Sequence, residues 1–433
     1  MKVSVIGSGY VGTVTAACFA ELGHNVVCID IDPGKVDMIN RGQPPIYEEG
    51  LEELLKKHAG KNIRATTDYD DAVANTDISF ICVGTPSDDN GNIDLGIVKA
   101  ASKSLGSAIG KKDGYHVVVV KSTVIPETTE KVVVPIIEQA SGRKPGVDFG
   151  AGMNPEFLRE GKAVHDFMHP DKIVVGAIDQ RSDDTISSLY AGLECQIKHT
   201  CQITHTDPGT AEMIKYVNNS FLATKISFSN EIGNICKKLG IDTYKVMEAV
   251  GKDSRISANF LNSGAGFGGS CFPKDVKALI GKAKELGYEP GLLESVINVN
   301  EVQPLMMIDL LESRTGELDG KRIAVLGLAF KNDTDDIRES RAIPVIRALL
   351  DKGAKVSSYD PMAADNMKAI YPGIEYCDSA VKALEGANGC LVMTEWDEFK
   401  GLCSEFKVMH RPLVVDGRNM IRCEDIEYVG LCW

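Results

Sequence analysis

The sequence predicts an α/β protein. It opens with a Rossmann-type doubly wound parallel sheet, continues with a central all-helical domain built on a long helix, and closes with a Rossmann-like α/β domain. Three observations carry that prediction. A β-rich run enters a glycine turn and then an alanine-rich helix at the start of the chain. Residues 208–239 hold apolar side chains at 3–4 spacing, and an alternating strand–helix rhythm resumes after Gly320. A length of 433 residues, at about 100–200 residues per domain, leaves room for two or three cores. The expected divisions are 1–203, 204–302 and 303–433.

The elements follow in order. Residues 2–6 are β-rich, Gly7-Ser8-Gly9-Tyr10-Val11-Gly12 makes the turn, and 13–22 is expected to be helical up to the stop signal Gly23. Residues 25–29 form the next strand, and apolar runs recur at 78–83, 116–120 and 173–175. Such alternation implies right-handed crossovers and a mainly parallel sheet. Asp207 and Pro208 signal the start of the long helix and Gly240 its end, with further helices to about residue 300. In the last third, 322–326, 355–359, 389–393 and 413–415 read as strands and 340–352 as a helix. The turn Gly327-Leu328-Ala329-Phe330 echoes the first glycine turn without its full pattern.

Composition removes several function classes. With 47 basic against 61 acidic side chains the formal net charge is −14, which argues against a nucleic-acid or anionic-membrane binder, since both need basic surface. An anionic small molecule stays open, because local donors decide its binding. The 12 cysteines are scattered from Cys18 to Cys432 with no CxxC pair and no metal-ligand spacing. Reduced thiols in a cytoplasmic protein is the simplest reading. Met1 runs straight into a strand, so no signal peptide is expected, and no apolar run reaches the about 20 residues of a membrane span.

Gly7-x-Gly9-x-x-Gly12 follows a strand and opens a helix, the context a dinucleotide fingerprint needs. The first glycine makes the turn, the second lets backbone approach a pyrophosphate, and the third lets helix and strand pack. Free N–H groups at the helix start then face the phosphates. Asp30 lies 18 residues beyond Gly12 at the end of the second strand. A carboxylate there accepts from ribose hydroxyls and repels a 2′-phosphate, favouring NAD over NADP. FAD shares the fingerprint, and a merely structural turn is the bland alternative.

The second informative stretch is Phe267-Gly268-Gly269-Ser270-Cys271-Phe272-Pro273-Lys274-Asp275. Glycines let its backbone approach a ligand, and Pro273 begins a helix. Cys271 at that helix N-terminus beside Lys274 is in a setting that activates a thiol, whereas a buried inert cysteine is the commoner case and the reading for the other eleven. Three further signals are weak singly. Lys215 and Asn219 share a helical face at i and i+4, Asn154-Pro155-Glu156-Phe157-Leu158-Arg159-Glu160 puts carboxylates four apart, and Lys121-Ser122-Thr123 follows a strand at its carboxyl end.

Together with Val83-Gly84-Thr85-Pro86, the 330–340 segment and Asp416-Gly417-Arg418, these motifs stand in one order. By them the chain resembles the UDP-glucose/GDP-mannose dehydrogenase family over essentially its whole length. Arg255, Thr394-Glu395-Trp396-x-x-Phe399 and Asp416-Gly417-Arg418 look more like its UDP-glucose branch than its GDP-mannose branch. The resemblance implies NAD as cofactor, UDP-glucose as substrate, and two oxidations in one site that take the C6 alcohol to the carboxylate of UDP-glucuronate. It implies Cys271 as nucleophile, Lys215 and Asn219 on the C6 oxygen, Glu156 as hydrolytic base, Asp275 orienting water, and Thr123 assisting through water. Around NAD it places Gly7, Gly9, Val11, Gly12, Asp30, Lys35, Thr85, Thr123, Glu160, Lys274 and Arg338. Around the sugar nucleotide it places Glu156, Phe157, Leu158, Lys215 and Asn219, the run Phe260, Leu261, Asn262, Ser263, Gly264, and then Gly268, Lys331 and Arg418. Arg255 resembles an arginine that reaches a neighbouring subunit's site, implying at least a homodimer built on the helical middle. Two readings from other classes remain. A single-step hydroxyacid dehydrogenase needs neither a nucleophilic cysteine nor a third domain, and a nonenzymatic nucleotide-sugar sensor could dispense with Cys271.

Overall fold

A computed structural model describes residues 1–88, 91–194 and 203–433. It divides into two compact units, Met1–Val217 and Asn218–Trp433. The first unit holds β1 (Lys2–Ile6), β2 (Asn25–Ile29), β3 (Ile63–Thr66), β4 (Ile78–Ile81), β5 (His116–Val120), β6 (Phe149–Met153), β7 (Ile173–Ala177) and β8 (Ile203–Thr206). Their order is β3-β2-β1-β4-β5-β6-β7-β8, parallel except where β6 meets β7. The second unit holds β9 (Arg322–Leu326), β10 (Lys355–Tyr359), β11 (Glu375–Tyr376), β12 (Gly389–Val392), β13 (Leu413–Asp416) and β14 (Glu427–Gly430), ordered β11-β10-β9-β12-β13-β14 and wholly parallel. Counted from its own first strand, each sheet therefore begins 3-2-1-4-5-6, the first adding two more strands, with the switch point beside the first strand where open α/β sheets bind ligands.

The central strands are continuous apolar runs because crossover helices cover both faces. Every residue of β5, His-Val-Val-Val-Val, is buried, as is all of β12. In β1 the register sets Val5 opposite Cys28 on one side and Phe80 on the other, and the inward residues join Val14, Phe19 and Val117 in one core. In the second unit Val325, Leu391 and Val415 pack with Val345, Ile346 and Leu349 of helix Ala342–Asp351.

Helix Pro208–Leu239 has 32 residues, about 48 Å at 1.5 Å per residue. Asp207 caps it, its carboxylate accepting from Thr210 N at 2.8 Å and Thr210 Oγ1 at 2.7 Å. Helices Thr243–Gly251, Phe272–Glu285 and Gly291–Val302 follow. Among the described residues no helix is long and apolar enough to cross a membrane.

The structure departs from expectation in four places. The fingerprint helix begins at Tyr10, inside the glycine motif, and not at residue 13. The strand Phe149–Met153 is absent from the sequence reading because Phe-Gly-Ala-Gly-Met has weak β-propensity. Its glycines are there for close packing: a Cβ on Gly152 would lie 2.6 Å from Gly176 O. The strands Ile63–Thr66, Ile203–Thr206, Glu375–Tyr376 and Glu427–Gly430 are likewise additions, all short and near sheet edges. Finally, the expectation of uniformly reduced thiols is corrected. Cys403 and Cys423 are joined in a disulfide, the fold bringing their Cα atoms to 5.4 Å. Cys18, Cys28, Cys82, Cys236, Cys390 and Cys432 are buried, Cys377 is half-buried, and Cys271 is exposed. Cys195 and Cys201 lie outside the described residues.

Candidate active site

The first group of predicted residues gathers at the carboxyl ends of β1, β2 and β4. Gly7 has φ +94°, and a Cβ on it would lie 2.9 Å from Cys82 O. A Cβ on Gly12 would overlap Gly7 O, so the helix Tyr10–Glu21 seats directly on the strand. A Cβ on Gly9, by contrast, would meet nothing within 4 Å. That open backbone at a helix start is the cradle a pyrophosphate fills. At the end of β2, Asp30 Oδ2 accepts from Ser8 N at 2.6 Å and Ser8 Oγ at 2.8 Å. Burial pushes its carboxyl up, but hydrogen bonds from Asp32 N and Ser8 and the charge of Lys35 outweigh this and hold it below the usual range. Val11 and Thr85 are half-buried around the cradle, and Lys35, on helix Pro33–Asn40, is half-buried too. The residues present fit NAD: an open glycine turn, a helix start and an ionised acid at the ribose position.

The second group surrounds the 154–160 loop after β6. Lys215 is no solvated helix lysine. Its Nζ donates to Glu156 O and Glu156 Oε1, both at 2.8 Å, and the two side chains are 5% and 7% exposed. Burial alone would raise the Glu156 carboxyl. The charge and hydrogen bond of Lys215, Leu158 N at 2.6 Å and the charge of Lys121 together hold it below the ordinary value. Glu156 is therefore an anion at neutral pH. Phe157 lies beneath both Lys215 and Lys172, its centroid 5.5 and 4.4 Å from their Nζ atoms. Leu158, Glu160 and Thr123 are half-buried.

Sequence reasoning placed Lys121 at a ligand edge, but the structure makes it a strut. Lys121 is 3% exposed, and its Nζ donates to Asn154 Oδ1 at 2.9 Å, which also accepts from Tyr190 OH at 2.5 Å. Burial lowers its ammonium to about 8. No local pattern signals this bond, because Asn154 and Tyr190 reach it from a loop and a turn 33 and 69 positions away.

The third group lies within the second unit. Cys271 is the N-cap of helix Phe272–Glu285, exposed, with Ser270 Oγ 3.7 Å from its Sγ and Asp275 N bonded to its carbonyl. Asp275, 1% exposed, accepts from Asn219 Nδ2 at 2.7 Å and Lys274 Nζ at 2.6 Å. The glycines fix what touches the loop. A Cβ on Gly268 would collide with Glu339 O, one on Gly269 with the Phe330 ring, and Gly269 N bonds Arg338 O at 2.9 Å. This brings the thiol loop against Phe330, Arg338 and Glu339. A Cβ on Gly264 would lie 2.7 Å from Gly417 O, and Ala265 N bonds that same oxygen. Buried Asp416 builds the turn, accepting from Arg418 N, Met420 N and Ile421 N, while Arg418 Nε donates to Met393 O at 2.6 Å. Leu261 and Ser263 are buried, Asn262 exposed, and Phe260 sits at φ +64°. Arg338 pairs with Asp336. Arg255 stands apart, 86% exposed and paired with Asp253.

Two doubly wound sheets, one carrying an open dinucleotide cradle, define an NAD-binding oxidoreductase. Comparison with known proteins agrees along the whole chain. Residues 1–194 match the NAD binding domain of the UDP-glucose/GDP-mannose dehydrogenase family, 209–302 its central domain and 324–423 its UDP binding domain. The UDP-glucose 6-dehydrogenase AglM of Haloferax volcanii is 53% identical over 432 residues, covering 100% of both chains. The UDP-glucose 6-dehydrogenase TuaD of Bacillus subtilis is 42% identical over 99% of this chain and 91% of its own. A solved UDP-glucose dehydrogenase from Pyrobaculum islandicum superposes with a TM-score of 0.93 at 42% identity, covering 100% of this chain and 98% of that one. The chain belongs to the UDP-glucose/GDP-mannose dehydrogenase family.

Proposed function

We propose that this chain is a UDP-glucose 6-dehydrogenase, oxidising the C6 alcohol twice to give UDP-glucuronate. The observation that carries the reading is Cys271: an exposed thiol capping a helix, backed by buried Asp275, which accepts from buried Asn219 and half-buried Lys274. NAD, when bound, supplies the hydride acceptor for each oxidation. The chain's own residues do the rest. Lys215 and Asn219, one turn apart on a single helix, hold the C6 oxygen and stabilise negative charge on it. The Cys271 thiolate adds to the C6 aldehyde carbon left by the first oxidation, forming a thiohemiacetal that keeps the aldehyde from escaping. Loss of the second hydride leaves a thioester. Glu156, anionic in its ion pair, takes a proton from the water that attacks the thioester carbonyl, with Asp275 and Thr123 orienting that water. The C–S bond breaks, releasing the carboxylate and restoring the thiolate.

Arg418, Lys331 and the 260–264 run would hold the uridine diphosphate and sugar, and Gly268 lets the thiol loop approach them. Val11, Lys35, Thr85, Glu160, Lys274 and Arg338 would surround NAD. We place the helical middle at 204–302 and assign it a second copy of the chain as partner. Val217, Phe221, Phe228, Ile235 and Leu239 are all exposed along the long helix. At about 100° per residue they fall within about 40° of one another, an apolar stripe suited to a twin. Arg255 would reach the neighbouring site.

The test is NADH formed per substrate consumed across UDP-glucose, UDP-galactose, GDP-mannose and UDP-N-acetylhexosamines. Two NADH per UDP-glucose are expected, with Cys271→Ser stopping turnover at or before the aldehyde. One NADH per substrate, full activity in the serine variant, or equal rates with GDP-mannose would overturn the reading.

A further inference from the structure

Glu48 lies outside every motif described above. It belongs to a partly exposed stretch, Gln43-Pro44-Pro45-Ile46-Tyr47-Glu48-Glu49, yet its own side chain is buried while Tyr47 and Glu49 on either side are exposed. A buried carboxylate requires hydrogen-bond partners, and this one has three. It accepts from Tyr10 OH, from Gly161 N at 2.7 Å and from Ala163 N at 2.7 Å. Gly161 N also reaches Tyr10 OH at 2.8 Å, closing a small ring of bonds. Burial and the neighbouring Glu48 charge hold the Tyr10 phenol well above its ordinary value, so it donates throughout the working range.

These donors come from two functional segments. Tyr10 is the first residue of the fingerprint helix, between Gly9 and Val11. Gly161 directly follows Glu160, and Ala163 opens the helix Ala163–Met168 that ends the carboxylate loop. One carboxylate thus ties the start of the dinucleotide cradle to the loop bearing Glu156 and Glu160. No backbone ladder does so: β1 and β6 are separated in the sheet by β4 and β5. We infer that Glu48 is a positioning residue that sets the carboxylate loop in register with the dinucleotide cradle, through Tyr10 and the amides of Gly161 and Ala163. This rests on the assignment of the chain as an NAD-dependent dehydrogenase.

The experiment measures NAD binding to the full-length protein by calorimetry, with steady-state KM and kcat alongside, for Glu48→Ala, Glu48→Gln and Tyr10→Phe. Losing bonds to a charged acceptor should weaken NAD about tenfold in Glu48→Ala and about threefold in Tyr10→Phe. Glu48→Gln, which keeps one acceptor oxygen, should fall between them. KM for NAD should rise in parallel and kcat should fall as Glu156 loses its position. A merely structural role would lower the melting temperature and the active fraction while leaving the NAD affinity of folded protein unchanged. Folded Glu48→Ala or Tyr10→Phe protein binding NAD within twofold of wild type overturns the inference. If Glu48→Ala does not fold, Glu48→Gln and Tyr10→Phe decide it by the same criterion. Failure of the wild-type protein to bind NAD would instead refute the dehydrogenase reading.

Discussion

Replacing Lys215 with Met keeps much of the side-chain volume and removes one charge from a buried pair. At the observed 2.8 Å and an effective dielectric near 20, the gross attraction is about 6 kcal/mol. Desolvation offsets much of it in the intact pair, but removing one partner orphans the other, which costs about 3–5 kcal/mol. For a unit of this size that is a fall of roughly 6–20 °C in melting temperature. The pH dependence separates this cause from lost packing. In the native protein Glu156 is held below its ordinary value, so its contribution is present above the unfolded value and lost as pH falls through the folded one. In the Lys215→Met protein only burial and weaker partners remain, and the carboxyl moves up. The variant's deficit should therefore be full at pH 7 and shrink as pH falls toward 4, where Glu156 takes up a proton. Thermal and urea unfolding at both pH values measure it, and Glu156→Gln/Lys215→Met should recover part of the loss. A deficit under about 1 kcal/mol, or one equal at both pH values, would refute the ion-pair argument.

Two further outcomes follow from the same structure. Burial lifts the Glu212 carboxyl to about 7 from an ordinary 4.5, while Thr129 N and Oγ1 bond it at 2.8 and 2.6 Å. Its folded value is raised, so its stabilising contribution is full below pH 4.5 and lost as pH rises through 7, up to about 3 kcal/mol. Glu212→Gln should flatten that part of the stability–pH curve, and a wild-type-minus-variant difference independent of pH would contradict it. The Cys403–Cys423 link spans 20 residues, worth about 3 kcal/mol. Cys423→Ser should lower stability by that amount, and reductant should do the same to wild type while sparing the variant. Wild-type unfolding unmoved by reductant would remove the disulfide from the account.

The architecture was legible wherever one periodicity ran unbroken. Residues 2–6, 25–29, 116–120, 322–326 and 355–359 are apolar-rich runs bounded by turns, and the structure places strands at those bounds. The long helix, with its Asp207-Pro208 start and Gly240 stop, is bounded as expected. Strands set by tertiary contact were not legible: Phe149–Met153 is a strand because its glycines admit Ser182, Gly176 and Ile186, a fact about neighbours. The candidate residues divide the same way. The tight geometry at Gly7 and Gly12 is readable because the glycine turn that requires it is local. The burial of Lys215, the strut made by Lys121 and the clamp at Glu48 depend on partners 33 to 115 positions away. The disulfide escaped notice because nothing in the spacing of twelve cysteines singles out two of them.

Under the proposed two-step oxidation, the repeated 3-2-1-4-5-6 order would have a kinetic consequence. In the second sheet Gly327 N bonds Tyr359 O at 2.9 Å as Gly7 N bonds Ile29 O at 2.8 Å, and Asp360 ends β10 as Asp30 ends β2. Asp360, however, is 4% exposed, and its Oδ2 is taken by Leu328 N, Ala329 N and Trp396 Nε1. The acid that is half-exposed in one sheet is sealed under an indole in the other. If the C6 alcohol is oxidised twice, as proposed, a catalyst with one dinucleotide seat would exchange its passenger midway. Each turnover would then contain a waiting period, during which the half-oxidised sugar of the proposed mechanism stays tethered to Cys271 while NADH leaves. Accumulated NADH would lengthen that wait, so the rate would follow the NAD/NADH ratio more steeply than in a dehydrogenase that removes one hydride.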